Sequence, residues 1–421
     1  MIYILMGFLQ RITFRVFFRH IHVANFKYIP HNKPVVISCN HPGAFLDPGF
    51  IGSILRKPIH YTARGDVFKN PIAARVLSSL NIIPIFRLEE GFENLSQNHE
   101  TIKKLAHVLK NNGIVLIFSE GMSALDRRLR PLRKGTAHIF LQIALDYNLD
   151  IELYASGITY SHKKNFRKSM MYSISKPLYV KDYLTDFIYN RQRAYHTFTH
   201  ELAHRLRENF VVVRYPDCDE IVDQHINYYC STENISHIPV VRYNRNKLND
   251  LQSLSQRINH LYASDEKSFE VLQNSTNEYE KILQSEGLTD DGLMNKPLSF
   301  LGYLLMILVL PFSVLGFYFW GIPYLIAQKV ADKTVTRIDF YDSVCMNSLS
   351  LIYAILTIIN NIILSLFIGW WSLLVWVIAP VFGELAFWTY DALHREMAVR
   401  KARKSASRET LFKLRQSIVS V

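Results

Sequence analysis

Three patterns of apolar residues succeed one another along the chain. In the first twenty residues Leu5, Phe8, Leu9, Ile12 and Val16 fall on one side of a helical projection. Arg11, Arg15 and Arg19 recur every four residues on another side. The spacing predicts, within residues 1–30, an amphipathic helix in a membrane interface with its guanidinium groups towards lipid phosphates. A helix packed on the following domain fits the same spacing. The stretch lacks a charged leader and a small-residue cleavage site, so it does not read as a signal peptide.

From residue 31 to about 215 short apolar runs alternate with helical periods. The runs predict strands at Val35–Cys39, Ile59–Ala63, Ile82–Phe86, Ile114–Phe118, Ile151–Tyr160 and Val211–Arg214. Helical spacing lies between most of them, as in His99–Lys110 and Thr136–Asp146. Such alternation predicts an α/β domain with a mostly parallel sheet flanked by helices and a site at the strands' carboxyl ends. Residues 216–295 read as a helical connecting region, with Leu251, Leu254, Ile258 and Leu261 as one stripe and Gly287 as a terminator.

The third pattern has no period. No charged residue lies between Lys296 and Lys329, and none from Ser343 to Gly383. Each interval exceeds the roughly 20 apolar residues that cross a bilayer. The second is too long for one upright span, and Asn360-Asn361 or Gly369-Trp370-Trp371 could turn it back; Pro311 could break the first. Residues 296–383 therefore predict C-terminal transmembrane helices with two to four crossings, an even number favoured. Residues 384–421 form a basic tail, carrying Arg395, Arg400, Lys401, Arg403, Lys404, Arg408, Lys413 and Arg415. Positive residues stay on the cytoplasmic side. An even number of crossings places the large amino-terminal part there too.

Charge and cysteine usage narrow the partners. The formal charge of +12 suits an anionic partner such as a membrane surface or a phosphorylated substrate. No nucleic-acid recognition motif is present, and the basic residues flank membrane segments. The 4 cysteines are scattered without a CxxC pair, which argues against a disulfide scaffold or a cysteine-ligated zinc site.

Candidate chemistry begins at Asn40-His41-Pro42-Gly43-Ala44-Phe45-Leu46-Asp47, directly after the first predicted strand. Asp47, the first carboxylate in the chain, would sit about one turn into a helix and reach back to one imidazole nitrogen of His41. The other nitrogen would then accept a proton, the arrangement of a general base. Cys39 alternates into the strand as a buried residue rather than a nucleophile.

The series of motifs resembles the glycerolipid acyltransferases, the family of glycerol-3-phosphate and 1-acylglycerol-3-phosphate acyltransferases. Besides the Asn-His…Asp stretch, Ile83-Pro84-Ile85-Phe86-Arg87 is similar to the family's second motif. Phe118-Ser119-Glu120-Gly121-Met122-Ser123 is similar to the third, and Leu153–Tyr160 to the fourth. The resemblance covers roughly residues 20–215 and implies an acyltransferase domain with His41 and Asp47 as catalytic residues. It implies that Arg87 holds the acceptor's phosphate and that Glu120, Gly121 and Ser123 shape the acceptor site. Arg133-Lys134-Gly135 resembles a basic segment downstream in the family. The implied donor is acyl-CoA or acyl carrier protein, the implied acceptor a phosphorylated glycerol or lysolipid, with no cofactor and no metal. Five residues separate His41 from Asp47, as in one branch of the family. Ser119 replaces a proline, and Ala155 or Ser156 stands where the fourth motif carries one, so the acceptor stays open.

Two other readings compete. His200-Glu201-Leu202-Ala203-His204 fits HExxH, the zinc-protease helix, with His196 one turn earlier and Glu208 or Glu220 as possible third ligands. Arg205 and Arg207 beside it would repel a metal. A non-catalytic membrane adaptor that binds anionic lipid would use the basic charge alone.

Overall fold

Val35, Ile37 and Cys39 pack into one apolar cluster, and the intervening Val36 packs into another. A strand buried on both faces belongs in the middle of a parallel sheet. The structure, a computed structural model, describes residues 2–55, 57–86, 98–164, 166–233 and 240–419. Its strands are β1 (His20–Ala24), β2 (Val35–Cys39), β3 (Ile59–Arg64), β4 (Ile82–Ile85), β5 (Ile114–Ile117), β6 (Glu152–Tyr160), β7 (Ser169–Ile174), β8 (Leu178–Tyr179) and β9 (Val241–Arg242).

Among the described residues these strands form one sheet in the order β4-β3-β5-β2-β6-β7-β1-β9, with β8 paired to β6. The pairs from β4 to β6 are all parallel. β6 meets β7 antiparallel, and β1 lies parallel to β7 and β9. The register sets Ile37 beside both Leu116 and Tyr154. The carboxyl ends of β2, β3, β4, β5 and β6 therefore share one edge. This is the mostly parallel α/β sheet expected.

The helices that cover the sheet are α1 (Ile2–Phe17), α2 (Leu46–Ile54), α3 (Pro71–Ser79), α4 (Asn98–Lys110), α5 (Gly135–Tyr147), α6 (Leu184–Tyr189) and α7 (Arg191–Arg207). α4, α5 and α7 bury Leu105, Phe140 and Phe198 on one face. α1 and α2 bury Phe14, Phe17 and Phe50 on the other. The chain continues with α8 (Asp219–Ser231), α9 (Asn246–Ser264), α10 (Glu266–Glu286) and α11 (Asp290–Met294). Gly287 ends α10 at φ 60, the left-handed terminator its position predicts.

The apolar blocks are helical from Phe300 and through Ser343–Gly383. α12 (Phe300–Gly316) and α13 (Ile322–Thr334) are joined by a π turn at Phe317–Gly321, and Pro311 does not interrupt them. α14 (Ile338–Ile368) and α15 (Val375–Lys404) flank a 3₁₀ turn at Gly369–Leu374. The chain reverses there, not at Asn360-Asn361. The indole of Trp320 stacks on Tyr353 before the turn and donates to the Ala379 carbonyl after it at 3.0 Å. Only 11% and 17% of the most apolar windows in Phe300–Thr334 and Ile338–Lys404 are buried. Both stretches are long and apolar enough to cross a membrane.

Several expectations change. The amino-terminal helix stops at Phe17, and β1 follows inside residues 1–30. Arg11 donates to the Ser53 carbonyl, Arg15 lies 3.9 Å from Glu384 and Arg19 binds Asp391, so each guanidinium has a partner within the protein. Leu9, Phe14, Val16 and Phe17 are buried, while Ile2, Ile4, Leu5 and Phe8 remain exposed. Val211–Arg214 is not a strand: Val211 N–H is taken by the Thr159 hydroxyl and Val213 N–H by the Arg127 carbonyl. Inside the helical connecting region, β9 extends the sheet beside β1. The basic tail is ordered as the end of α15 and α16 (Arg408–Val419), with Arg415 buried against Asp290 at 2.6 Å.

Candidate active site

The central strand delivers His41 to the sheet edge. Asn40 fixes its exit by a two-way bond to Ile158 of β6: its amide donates to the carbonyl at 3.0 Å and its oxygen accepts the N–H at 2.7 Å. Beyond His41 the chain turns at Gly43 and enters α2, which carries Asp47 in its first turn. A Cβ on Gly43 would come within 2.7 Å of the Asp47 carboxylate and 2.8 Å of the Tyr160 hydroxyl, so only glycine fits.

Asp47 is fully buried and serves three donors. Its Oδ2 lies 2.8 Å from His41 Nδ1 and accepts the Gly43 N–H at 2.8 Å; its Oδ1 accepts the Tyr160 hydroxyl at 2.6 Å. A buried carboxylate ringed by donors is an acceptor at every position. It therefore holds the imidazole as the Nδ1–H tautomer, with the Nε2 lone pair directed away. The His41 ring stacks on Phe118 with centroids 3.8 Å apart, and 17% of its side chain is exposed. One nitrogen is anchored, and the ring is open to solvent.

Phe118 directly follows the neighbouring strand β5, and Ser119 and Glu120 come next. Ser119 bonds Ser38 at 2.7 Å and Thr136 at 2.9 Å, which ties that loop to β2 and α5. Gly121 turns with φ 76. Glu120 accepts the Arg130 N–H at 3.1 Å. Burial pushes its carboxyl up to about 7, against the opposing pull of the Arg130 and His41 backbone N–H groups and the imidazole. A carboxyl raised in the folded chain contributes full stability below its ordinary 4.5 and loses it as pH rises through 7. The charged form costs on the order of 3 kcal/mol. Glu120→Gln should accordingly raise the thermal midpoint at pH 8 and leave it nearly unchanged at pH 4.5. Calorimetry at both pH values checks this, and equal shifts would contradict it.

The remaining expected residues divide. His41, Asp47, Glu120 and Gly121 share the edge formed by β2 and β5. Ser123 is nearby, but its hydroxyl is donated to Asp339 of α14 at 2.6 Å. Arg87 lies outside the described residues; the strand before it, β4, ends on the same sheet edge. Burial pushes the Cys39 thiol up, so it stays protonated and a poor nucleophile. Backbone N–H groups near the helix start, the natural donors for an oxyanion, are partly engaged. Gly43 N–H binds Asp47, and Leu46 N–H binds the Gly43 carbonyl and the Ser343 hydroxyl.

The HExxH helix is built differently from a metal centre. Glu201 pairs with Arg205 at 2.6 Å, and His204 faces Glu208 at 3.8 Å on the exposed side of α7. Among the described residues no group of three or more His, Cys, Asp and Glu could hold a metal ion.

The acyltransferase family model matches residues 20–158, which run from β1 through most of β6. The chain carries an acyltransferase domain. No curated protein matches the chain. Among solved structures, the 1-acyl-sn-glycerophosphate (LPA) acyltransferase PlsC from Thermotoga maritima is similar at 18% identity, over 48% of this chain and 77% of that one, with a TM-score of 0.34. The acyltransferase match begins at β1, inside the segment expected to be an interfacial helix. Tyr160 and Ser343, which complete the site, went unassigned in the sequence. Tyr160 ends the strand that resembles the family's fourth motif, which is a sequence signal for it; Ser343 has none.

Proposed function

We propose that this acyltransferase is a membrane-bound O-acyltransferase of glycerolipid synthesis. It moves a fatty acyl group from acyl-CoA or acyl carrier protein to the hydroxyl of glycerol-3-phosphate, lysophosphatidate or a related lipid. The observation that carries the reading is the buried Asp47 carboxylate, which binds His41 Nδ1 at the end of the central strand. His41 Nε2 takes the proton of the acceptor hydroxyl as its oxygen attacks the thioester carbonyl. The carbon–sulfur bond then breaks, and the imidazolium gives its proton to the departing thiolate, which leaves as the free thiol and restores the neutral base. General base assistance of this kind supplies about 10²–10⁴ in rate.

The glycerolipid assignment rests on the motif series in the sequence. Arg87 holds the acceptor's phosphate through paired guanidinium donors, and Glu120 and Gly121 shape the acceptor side. The apolar helices hold the enzyme in the bilayer, with its catalytic domain and basic tail on the cytoplasmic face.

The test is direct. Purified full-length protein in lipid vesicles is given labelled acyl-CoA or acyl carrier protein with glycerol-3-phosphate, lysophosphatidate or an unphosphorylated hydroxylated lipid. Ester product and free thiol should appear together with at least one phosphorylated acceptor. Absence of ester from every pairing would overturn the proposal.

A further inference from the structure

The first two turns of α14, at the start of the second apolar stretch, face three loops of the acyltransferase site. Asp339 accepts the Ser123 hydroxyl. Asp342 pairs with the buried Lys168, whose ammonium lies 4.3 Å from the Tyr160 ring centre; Tyr160 is the phenol that donates to Asp47. Ser343, itself buried, donates to the Gly43 carbonyl at 2.5 Å and accepts the Leu46 N–H at 2.9 Å. Residues three and four apart share a helix face, so 339, 342 and 343 act together.

The turn that Ser343 grips is strained. Ala44, between the two bonded groups, has φ 45, a left-handed conformation that costs an L-residue about 1–2 kcal/mol. Such a conformation persists only where its surroundings hold it. The same turn presents the Gly43 N–H to Asp47 and sets the approach of α2 to His41.

We infer that Ser343 is a positioning residue for acyl transfer: its hydroxyl holds the turn Gly43–Leu46 so that Asp47 meets His41, which makes the apolar C-terminal hairpin part of the active site. The inference rests on the His41–Asp47 reading above. Removing the hydroxyl loosens the turn without dissolving it, because Leu46 N–H still reaches the Gly43 carbonyl at 2.8 Å. A misplacement of about 1 Å in a site lowers rate by about 10²-fold.

The experiment uses the full chain in vesicles. Ser343→Ala should lower kcat roughly 10- to 100-fold while KM for donor and acceptor stays within about two-fold. The comparison variant is Ser350→Ala, two turns along the same helix, where a buried hydroxyl bonds Thr13 of α1 at 2.8 Å instead of a loop of the site. It should keep wild-type kcat. An equal loss of kcat in both variants, or full kcat in Ser343→Ala, overturns the inference. If the alanine variant does not accumulate, Ser343→Cys replaces it, keeping the volume but bonding weakly. The same fall in kcat is then expected, and wild-type kcat overturns the inference. His41→Ala separates the two ideas: full activity there sinks the catalytic reading, whereas an inactive His41→Ala beside an unimpaired Ser343→Ala sinks the inference alone.

Discussion

Replacing His41 by alanine should lower kcat for acyl transfer by about 10²–10⁴, the range that a positioned general base contributes. The protein should stay folded, because the imidazole is partly exposed and the Asp47 carboxylate keeps the Tyr160 hydroxyl and the Gly43 N–H as donors. Membrane association should persist, since the apolar helices are untouched. Acyl-thioester turnover in vesicles, with the thermal midpoint measured on the same preparation, checks all three. Turnover within a few-fold of wild type would remove His41 from the chemistry and leave lipid binding as the better account of the chain.

Asp47→Asn is the second large effect, and it isolates charge from shape. The amide fits the same space, so the buried pocket beneath His41 stays filled. Whichever way it lies, it removes the negative charge that stabilises an imidazolium. With its NH₂ towards His41 it also reverses the tautomer, so that Nε2 carries a proton and cannot accept one. We expect kcat to fall about 10²–10⁴ with KM little changed. Asp47→Ala should lose activity and also stability, because the Tyr160 hydroxyl and the Gly43 N–H then lie buried without a partner, at about 1–3 kcal/mol each. Paired turnover and unfolding measurements distinguish the variants. An asparagine variant that turns over normally would leave Asp47 a structural role only.

The sheet's centre was legible because its strands are short, apolar and bounded by turn residues. β2, β3, β4 and β5 fall within one residue of the expected ends. His41, Asp47 and Glu120 were legible for a related reason: each follows such a strand closely, so local spacing carries the geometry. β1 was hidden because the arginine spacing before it continued a helical pattern, although His20–Ala24 is buried at every position. Val211–Arg214 misled in the opposite sense: its buried valines look like a strand, yet side chains and a loop satisfy its backbone. Ser343 could not be read at all. Its partners Gly43 and Leu46 are 300 and 297 residues away, and a serine in an apolar helix gives no local sign of which turn it holds.

One apolar cluster joins β2, α1 and α2 to Trp320, Ala327, Met346, Leu349 and Tyr353 of the C-terminal helices. These helices thus share one interior with one face of the sheet, while its other face keeps a separate core. A shortened version ending before Phe300 would bare to water the apolar faces of α1 and α2 that these helices cover. A change that loosens those helices should therefore be felt at β2, the strand that carries His41 at its end.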